Sequence, residues 1–332
     1  MDEPRDILHA ARHPSPYAWY DRLRAGPPVQ REAASGLWIV CGPRAVRAAL
    51  RHPALRVRPQ DEPVPKVLLH TAAGDSFAGL ARMNDGDTHA ALRLHVEHPM
   101  ARWTADSIDQ AARRAALDLA PRTDADAWIH AVPAQAVARL LRVPDARLDT
   151  MVADVQAFVR GIAPGASGQD AAEASEAASR LRAAMGATAL SMAAVANRIA
   201  LMQQAVDATA GLLGNTLVRL HAPPDAAVTD LAALVADVAQ HDPAIHHTRR
   251  WAAQPLTLGG ASLAAGDAVV ILLAGTAPFG AGPHACPGEA LSLRIATAAL
   301  QALQGMDRLG SFAGPARGWR PLANARIPVF AA

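Results

Sequence analysis

The stretch Pro278–Leu300, PFGAGPHACPGEALSLRIATAAL, holds Cys286, one of only two cysteines in 332 residues. Three glycines and three prolines crowd around that thiol, and an amphipathic helix pattern starts directly after it. Gly280, Gly282 and Gly288 free the backbone to approach something flat and bulky. Pro283 and Pro287 stiffen the loop, and Pro287 suits the first position of the following helix. This arrangement predicts that Cys286 sits at the positive end of a helix dipole, which favours a thiolate and lowers its pKa.

Several chemistries use such a thiol. A buried structural cysteine is the plain reading. A nucleophilic pair with His284 is a second, but two residues apart in a stiff loop is poor geometry for base and nucleophile. Zinc would need further ligands; His95 and His98 are available, and no second cysteine pair is. Gly280, Gly282 and Ala285 fit a dinucleotide fingerprint between a strand and a helix. Pro283 in the phosphate turn argues against it, and too little chain follows to complete a doubly wound sheet.

Composition narrows the field. Hydrophobic residues make up 51% and charged residues 19%, enough for a substantial core. Thirty-two basic against thirty acidic residues leave +2, interspersed along the chain, so no basic stripe points to nucleic acid. Two cysteines suit a reducing compartment rather than a disulfide framework. The N-terminus MDEPRDILHA lacks the apolar run of a signal peptide, and Ala268–Gly275 is too short to span a bilayer. A soluble, cytoplasmic protein with no membrane partner is expected.

Helical periodicity dominates. Apolar residues recur at three-to-four spacing in Pro16–Gly26, Pro43–His52, Asp87–Met100, Asp106–Ala120, Ala134–Val143 and Leu148–Ile162. Pro164–Asp170 reads as a break. Ser191–Leu220 is the longest candidate, apolar on most faces and therefore central, with Pro223 and Pro224 as its stop. Asp230 opens another helix that ends before Pro243. Strands are few: Leu37–Gly42, and Pro255–Gly275 as a hairpin turning at Ala264–Asp267. The pattern predicts a mainly α protein with a small β side-sheet.

Phe279–Gly288, FGAGPHACPG, resembles the heme-binding signature of the cytochrome P450 family at every fixed position of Phe-Gly-x-Gly-x-His-x-Cys-x-Gly. The resemblance implies a P450-like helical fold, one heme-binding domain over residues 1–332, and heme b (iron protoporphyrin IX) as cofactor. It makes Cys286 the metal ligand, an axial thiolate that favours oxygen–oxygen cleavage. Phe279 would then shield the sulfur, Gly288 belong to the cofactor loop, and His284 reach a heme propionate. THAALR is similar to the family's His-x-x-x-Arg helix, giving His89 and Arg93 as further propionate partners. HHTRRWAAQPLTLGG is similar to the strand that supplies another, Arg250. Read without the family, each of these is an ordinary surface histidine or arginine.

The chain also departs from the family. Its central helix should carry an acid followed by threonine; QAVDATAGLLGN offers Asp207, then Ala208 where the hydroxyl belongs. Thr209 comes one residue later, a rotation of roughly 100° around the helix. Asp207 is the proton-relay candidate, or else a polar residue paired with Gln203 or Gln204; Ala205 and Ala208 are small enough to face a substrate. Asp237 and Gln240 stand where the family has Glu-x-x-Arg. The long meander before the cysteine loop is missing, and a short Ala-rich region replaces some longer helices. The function implied is a heme-thiolate monooxygenase or peroxide-dependent oxidase in secondary metabolism. Its substrate would be small or carrier-bound, with a ferredoxin and reductase as possible electron donors. The alternative is a heme-binding or heme-free auxiliary protein that assists a partner enzyme.

Overall fold

A computed structural model describes residues 3–185, 190–222 and 230–331. The first part of the chain alternates short elements: α1 (Ile7–Ala10), α2 (Tyr17–Ala25), β1 (Val29–Arg31), β2 (Trp38–Val40), α3 (Pro43–Arg51) and β3 (Leu55–Arg56). Helices then follow almost without interruption: α4 (Ala72–Ala78), α5 (Gly86–Met100), α6 (Ala105–Leu119), α7 (Ala125–Leu140), α8 (Leu148–Gly161), α9 (Gly168–Ala184), α10 (Met192–His221) and α11 (Leu231–His241). Three strands precede the cysteine loop, β4 (His247–Ala252), β5 (Leu256–Leu258) and β6 (Ala261–Leu263), with β7 (Ala268–Leu272) leading into it. After the loop come α12 (Glu289–Gly305), α13 (Leu309–Phe312), β8 (Gly318–Trp319) and β9 (Pro328–Val329). The mainly α architecture with a small sheet is what the periodicity predicts.

Caps explain where the helices begin. Ser191 accepts from the Ala194 amide at the start of α10, and Ser167 with Asp170 closes a reciprocal capping box at α9. Expected stop residues Pro223 and Pro224 lie outside the described residues. As its composition requires, α10 runs through the main core, with Ile199, Met202, Leu213 and Leu217 almost fully buried. Gly211 and Gly214 let other backbone close on it. A Cβ on Gly211 would lie 2.5 Å from the Ala244 Cβ, and one on Gly214 would lie 2.6 Å from the Pro328 ring. Among the described residues, no helix is long and apolar enough to cross a membrane.

Two readings need correction. α7 starts nine residues earlier than the expected helix at Ala134, because it runs through Pro133. An internal proline costs about 3 kcal/mol; burial of Trp128, Ile129 and Val132 in the main core opposes that cost. Pro255–Gly275 is not one hairpin. β5 pairs with β6 across Gly259–Gly260, both at positive φ, and Ala264–Asp267 is a second turn delivering β7 to another sheet. That sheet has the order β1-β2-β7-β4-β3, with only the β2–β7 pair parallel. A doubly wound parallel sheet is therefore ruled out, and the dinucleotide reading with it.

Asp237 and Gln240 stand on the exposed side of α11, Asp237 with His241 2.9 Å away. A buried network ties the ends of the chain together nearby. Arg326 Nε donates to Asp242 Oδ1 (3.1 Å), Nη1 to the His13 carbonyl (2.7 Å) and Nη2 to the Pro14 carbonyl (3.2 Å). Its guanidinium lies 3.3 Å from the Trp319 ring centroid. Tyr17 donates to Asp242, and the Tyr20 hydroxyl is 2.7 Å from His246 Nδ1.

Candidate cysteine-loop site

β7 is buried between β2 and β4, so its end at Leu272 is a fixed starting point for the loop. Gly280 and Gly282 both adopt positive φ, +74° and +72°. A Cβ on Gly282 would lie 3.0 Å from the Leu50 carbonyl and 2.8 Å from Arg51 Cγ. These two glycines serve the loop's own turns, and Gly282 also its seat on α3. Gly288 has φ −97°, which any residue adopts. The Cys286 amide donates to the Phe279 carbonyl (2.8 Å), closing the loop, while the Phe279 ring packs on the main core.

Cys286 is a free thiol with an exposed face. Protein packed around its other sides dehydrates it and pushes the thiol pKa up, against a Gly288 N–H that draws it down. The expected lowering by the helix dipole is not found. α12 begins only at Glu289, so Cys286 lies outside its first turn, and the Glu289 carboxylate adds a further upward push.

Other expected site residues converge on the same loop from distant segments. Arg93, on α5, donates through Nη1 to the Pro283 carbonyl (2.8 Å) and the Ala285 carbonyl (2.9 Å), and through Nε to Glu97 (2.6 Å). One turn earlier, His89 is buried with its ring centroid 4.0 Å from that of His284. Burial, with His284 and Arg93 as neighbours, lowers the His89 pKa. Arg250 on β4 is also buried, donating to Thr248 Oγ1 (2.9 Å) and the Arg249 carbonyl (2.8 Å). Asp85 carries no signal in the sequence. It stands at the N-cap of α5, where an aspartate usually accepts from the first turn, yet it makes no such bond. Its carboxylate instead accepts from the Val57 amide (3.0 Å) and lies 3.3 Å from His284 Nε2. Its charge also favours the cationic form of Arg250. His284, the Val57 amide and Arg56 hold the Asp85 pKa below the usual carboxylate value despite its burial.

Asp207 and Ala208 are half-buried on α10, whereas Thr209 is buried at 3% exposure. The alternative pairing of Asp207 with glutamine is not seen, since Gln204 donates to Gln203 (3.0 Å). Burial pushes the Asp207 pKa up, while the Arg320 and Arg82 charges pull it down. Neither arginine stands out in the sequence. Ala205 is buried. Among the described residues, no cluster of three or more His, Cys, Asp or Glu could hold a metal, so a bare-ion site is not built here.

The arrangement fits a heme. A single exposed thiol is the donor that a one-ligand metal centre requires. Arg93 Nη2, Arg250 Nη2 and the His89 ring nitrogens have no hydrogen-bond partner among the described residues, and could serve carboxylates.

No family model matches the chain, and no curated protein matches it. Solved structures do. A cytochrome P450 from Chondromyces apiculatus is 19% identical with a TM-score of 0.78, over 97% of this chain and 96% of that one. P450BioI in complex with hexadec-9Z-enoic acid ligated acyl carrier protein is 18% identical with a TM-score of 0.75, over 95% and 96%. P450 RauA complexed with a biosynthetic intermediate of aurachin RE is 21% identical with a TM-score of 0.73, over 98% and 96%. At these identities the likeness is one of fold.

Proposed function

We propose that this chain, which has the cytochrome P450 fold, is a heme-thiolate oxidoreductase acting on a small or carrier-bound metabolite in secondary metabolism. The observation that carries the reading is a free, exposed Cys286 thiol in a loop gripped by Arg93 and flanked by His89 and His284. Residues 1–332 would act as one heme-binding domain. Cys286 would ligate the iron, and His89, Arg93, Arg250 and His284 would hold the propionates of heme b. Bound there, the heme would supply activation of oxygen or peroxide, with a thiolate ligand favouring oxygen–oxygen cleavage.

The chain's own residues set the terms. Burial disfavours a free thiolate at Cys286, so the thiol would give up its proton only on binding iron. The Gly288 N–H steadies the sulfur once it is charged. Phe279 keeps the loop anchored through its carbonyl and its packed ring. Asp207, with its raised pKa, can hold a proton on α10 and pass it on. It does so without help from a hydroxyl on the next residue, because Ala208 has none. Reducing equivalents would come from a ferredoxin and reductase, or peroxide would replace them. Neighbours solved with a carrier-bound fatty acid and with a biosynthetic intermediate support both substrate forms.

A second reading has its own observation. Ala208 carries no hydroxyl and Thr209 is buried, which suits an auxiliary protein that assists a partner without oxidation. The test is the hemin-loaded protein reduced under carbon monoxide, followed by peroxide turnover. A thiolate-type Soret band lost in Cys286→Ser, together with turnover, supports the enzyme. That band without turnover supports the auxiliary reading, and an unchanged band in Cys286→Ser contradicts the ligand assignment.

A further inference from the structure

The segment Phe279–Gly288 carries the thiol, and among the described residues only two side chains from elsewhere hydrogen-bond to it. Both belong to α5 and its cap. Arg93 Nη1 spans the Pro283 and Ala285 carbonyls, and Asp85 Oδ1 lies 3.3 Å from Nε2 of the residue between them, His284. An ionised carboxylate only accepts, so Nε2 is the donor. The side chains of this pair are 14% and 19% exposed, so water competes little for the bond. The His284 ring also rests on that of His89, one turn into the same helix. Three consecutive residues are thus gripped from one element, and Cys286 is the next.

Asp85 reaches beyond the loop. Its other oxygen, Oδ2, accepts from the Val57 amide (3.0 Å), the residue directly after β3. β3 pairs with β4, and β4 with β7, the strand that delivers the loop. The carboxylate therefore closes a circuit: sheet to loop through β7, loop to Asp85 through His284, and Asp85 back to the sheet through Val57. An aspartate at an N-cap normally gives an oxygen to the first-turn amides of its own helix. Asp85 gives none, and Gly86 beside it has φ +61°, outside the helical range that a first helical residue adopts. Its two oxygens are committed to the loop and the sheet instead.

We propose that Asp85 is a positioning residue for Cys286: through His284 and Val57 it fixes the cysteine loop between α5 and the sheet, so the thiol stands in ligating position before a cofactor arrives. A loop rich in glycine loses much conformational freedom when it is ordered. Ordering it during folding removes that cost from the binding step. Cys286 as iron ligand rests on the heme-thiolate reading; the clamp on its loop does not.

The test measures amide hydrogen exchange in the heme-free full chain. The Ala285 amide donates to the Gly282 carbonyl (3.0 Å) and the Cys286 amide to that of Phe279 (2.8 Å), so both report on the closed loop. Asp85→Ala should speed exchange at these two amides about tenfold and leave Met202 and Leu213 in α10 unchanged. Asp85→Asn keeps an acceptor for Val57 and a polar atom for the imidazole, and should return the loop to near the wild-type rate. In a His284→Ala background the link is already cut, so adding Asp85→Ala should change nothing further in the loop. His284→Ala alone gives the same reading where Asp85→Ala does not fold. Loop exchange unmoved by Asp85→Ala, equal acceleration in α10, or a full further effect in the His284→Ala background would overturn the proposal. The same proteins loaded with hemin and reduced under carbon monoxide report the placed thiol. The thiolate-type fraction should fall in Asp85→Ala and recover in Asp85→Asn; a fraction that stays at the wild-type level in both overturns the proposal too. A loop that opens in Asp85→Ala while wild type shows no thiolate band sinks the heme reading alone. A wild-type thiolate band with loop exchange unmoved by Asp85→Ala sinks this inference alone.

Discussion

Ala208 decides what Asp207 can do. In the function proposed above it stands where a hydroxyl would join the carboxylate to a proton path, and Thr209 is buried one residue on. Ala208→Thr should raise the product formed per electron consumed, measured as coupling efficiency. An unchanged ratio would leave Asp207 without a relay role. Gly282 has a different duty, because its φ of +72° and the 3.0 Å gap to the Leu50 carbonyl leave no place for a side chain. Gly282→Ala should cost at least ~1 kcal/mol and lower heme content, read by melting temperature and absorbance. Residues within one continuous signature, such as Phe279, His284 and Cys286, were legible from sequence. Asp85, Arg82 and Arg320 were not. Each looks like an N-cap or a surface charge until segments far apart in the chain bring charged partners to it.

Elements were legible where local pattern and burial agree. α10 follows from its apolar periodicity, its span within a residue of the expected one at each end, and α12 starts directly after the cysteine loop as its pattern predicts. α7 did not, because Pro133 argues locally for a boundary while Trp128 and Val132 are held by tertiary packing. β7 failed for the opposite reason: its residues are plainly a strand, but its partners β2 and β4 cannot be read from its own neighbourhood. Asp237→Ala and Gln240→Ala sit on the exposed side of α11, and each should stay within about ±0.5 kcal/mol of wild type in urea unfolding. Arg326→Ala removes one partner from a buried charged network and should cost about 3–5 kcal/mol in the same measurement.

For the molecule as a whole, buried histidines set the acid limit. Burial lowers His130 and His247 to about 4 and His246 well below its ordinary value. The unfolded chain therefore binds protons that the folded chain refuses once pH drops below about 6.5. Stability should fall from there toward pH 4, by about 1.4 kcal/mol per pH unit for each histidine. Asp207 works in the other direction, since its raised pKa adds stability at low pH that fades as pH rises through that value. Melting curves across this range, with His130→Gln and His247→Gln expected to flatten the slope, check the balance. The central claim concerns one bond, between the Cys286 sulfur and heme iron. Its most direct measurement is the absorption spectrum of the hemin-loaded protein, reduced under carbon monoxide. The account predicts a red-shifted thiolate Soret band that disappears in Cys286→Ser; protein that takes up no heme, or a band of histidine-ligated type, would contradict it.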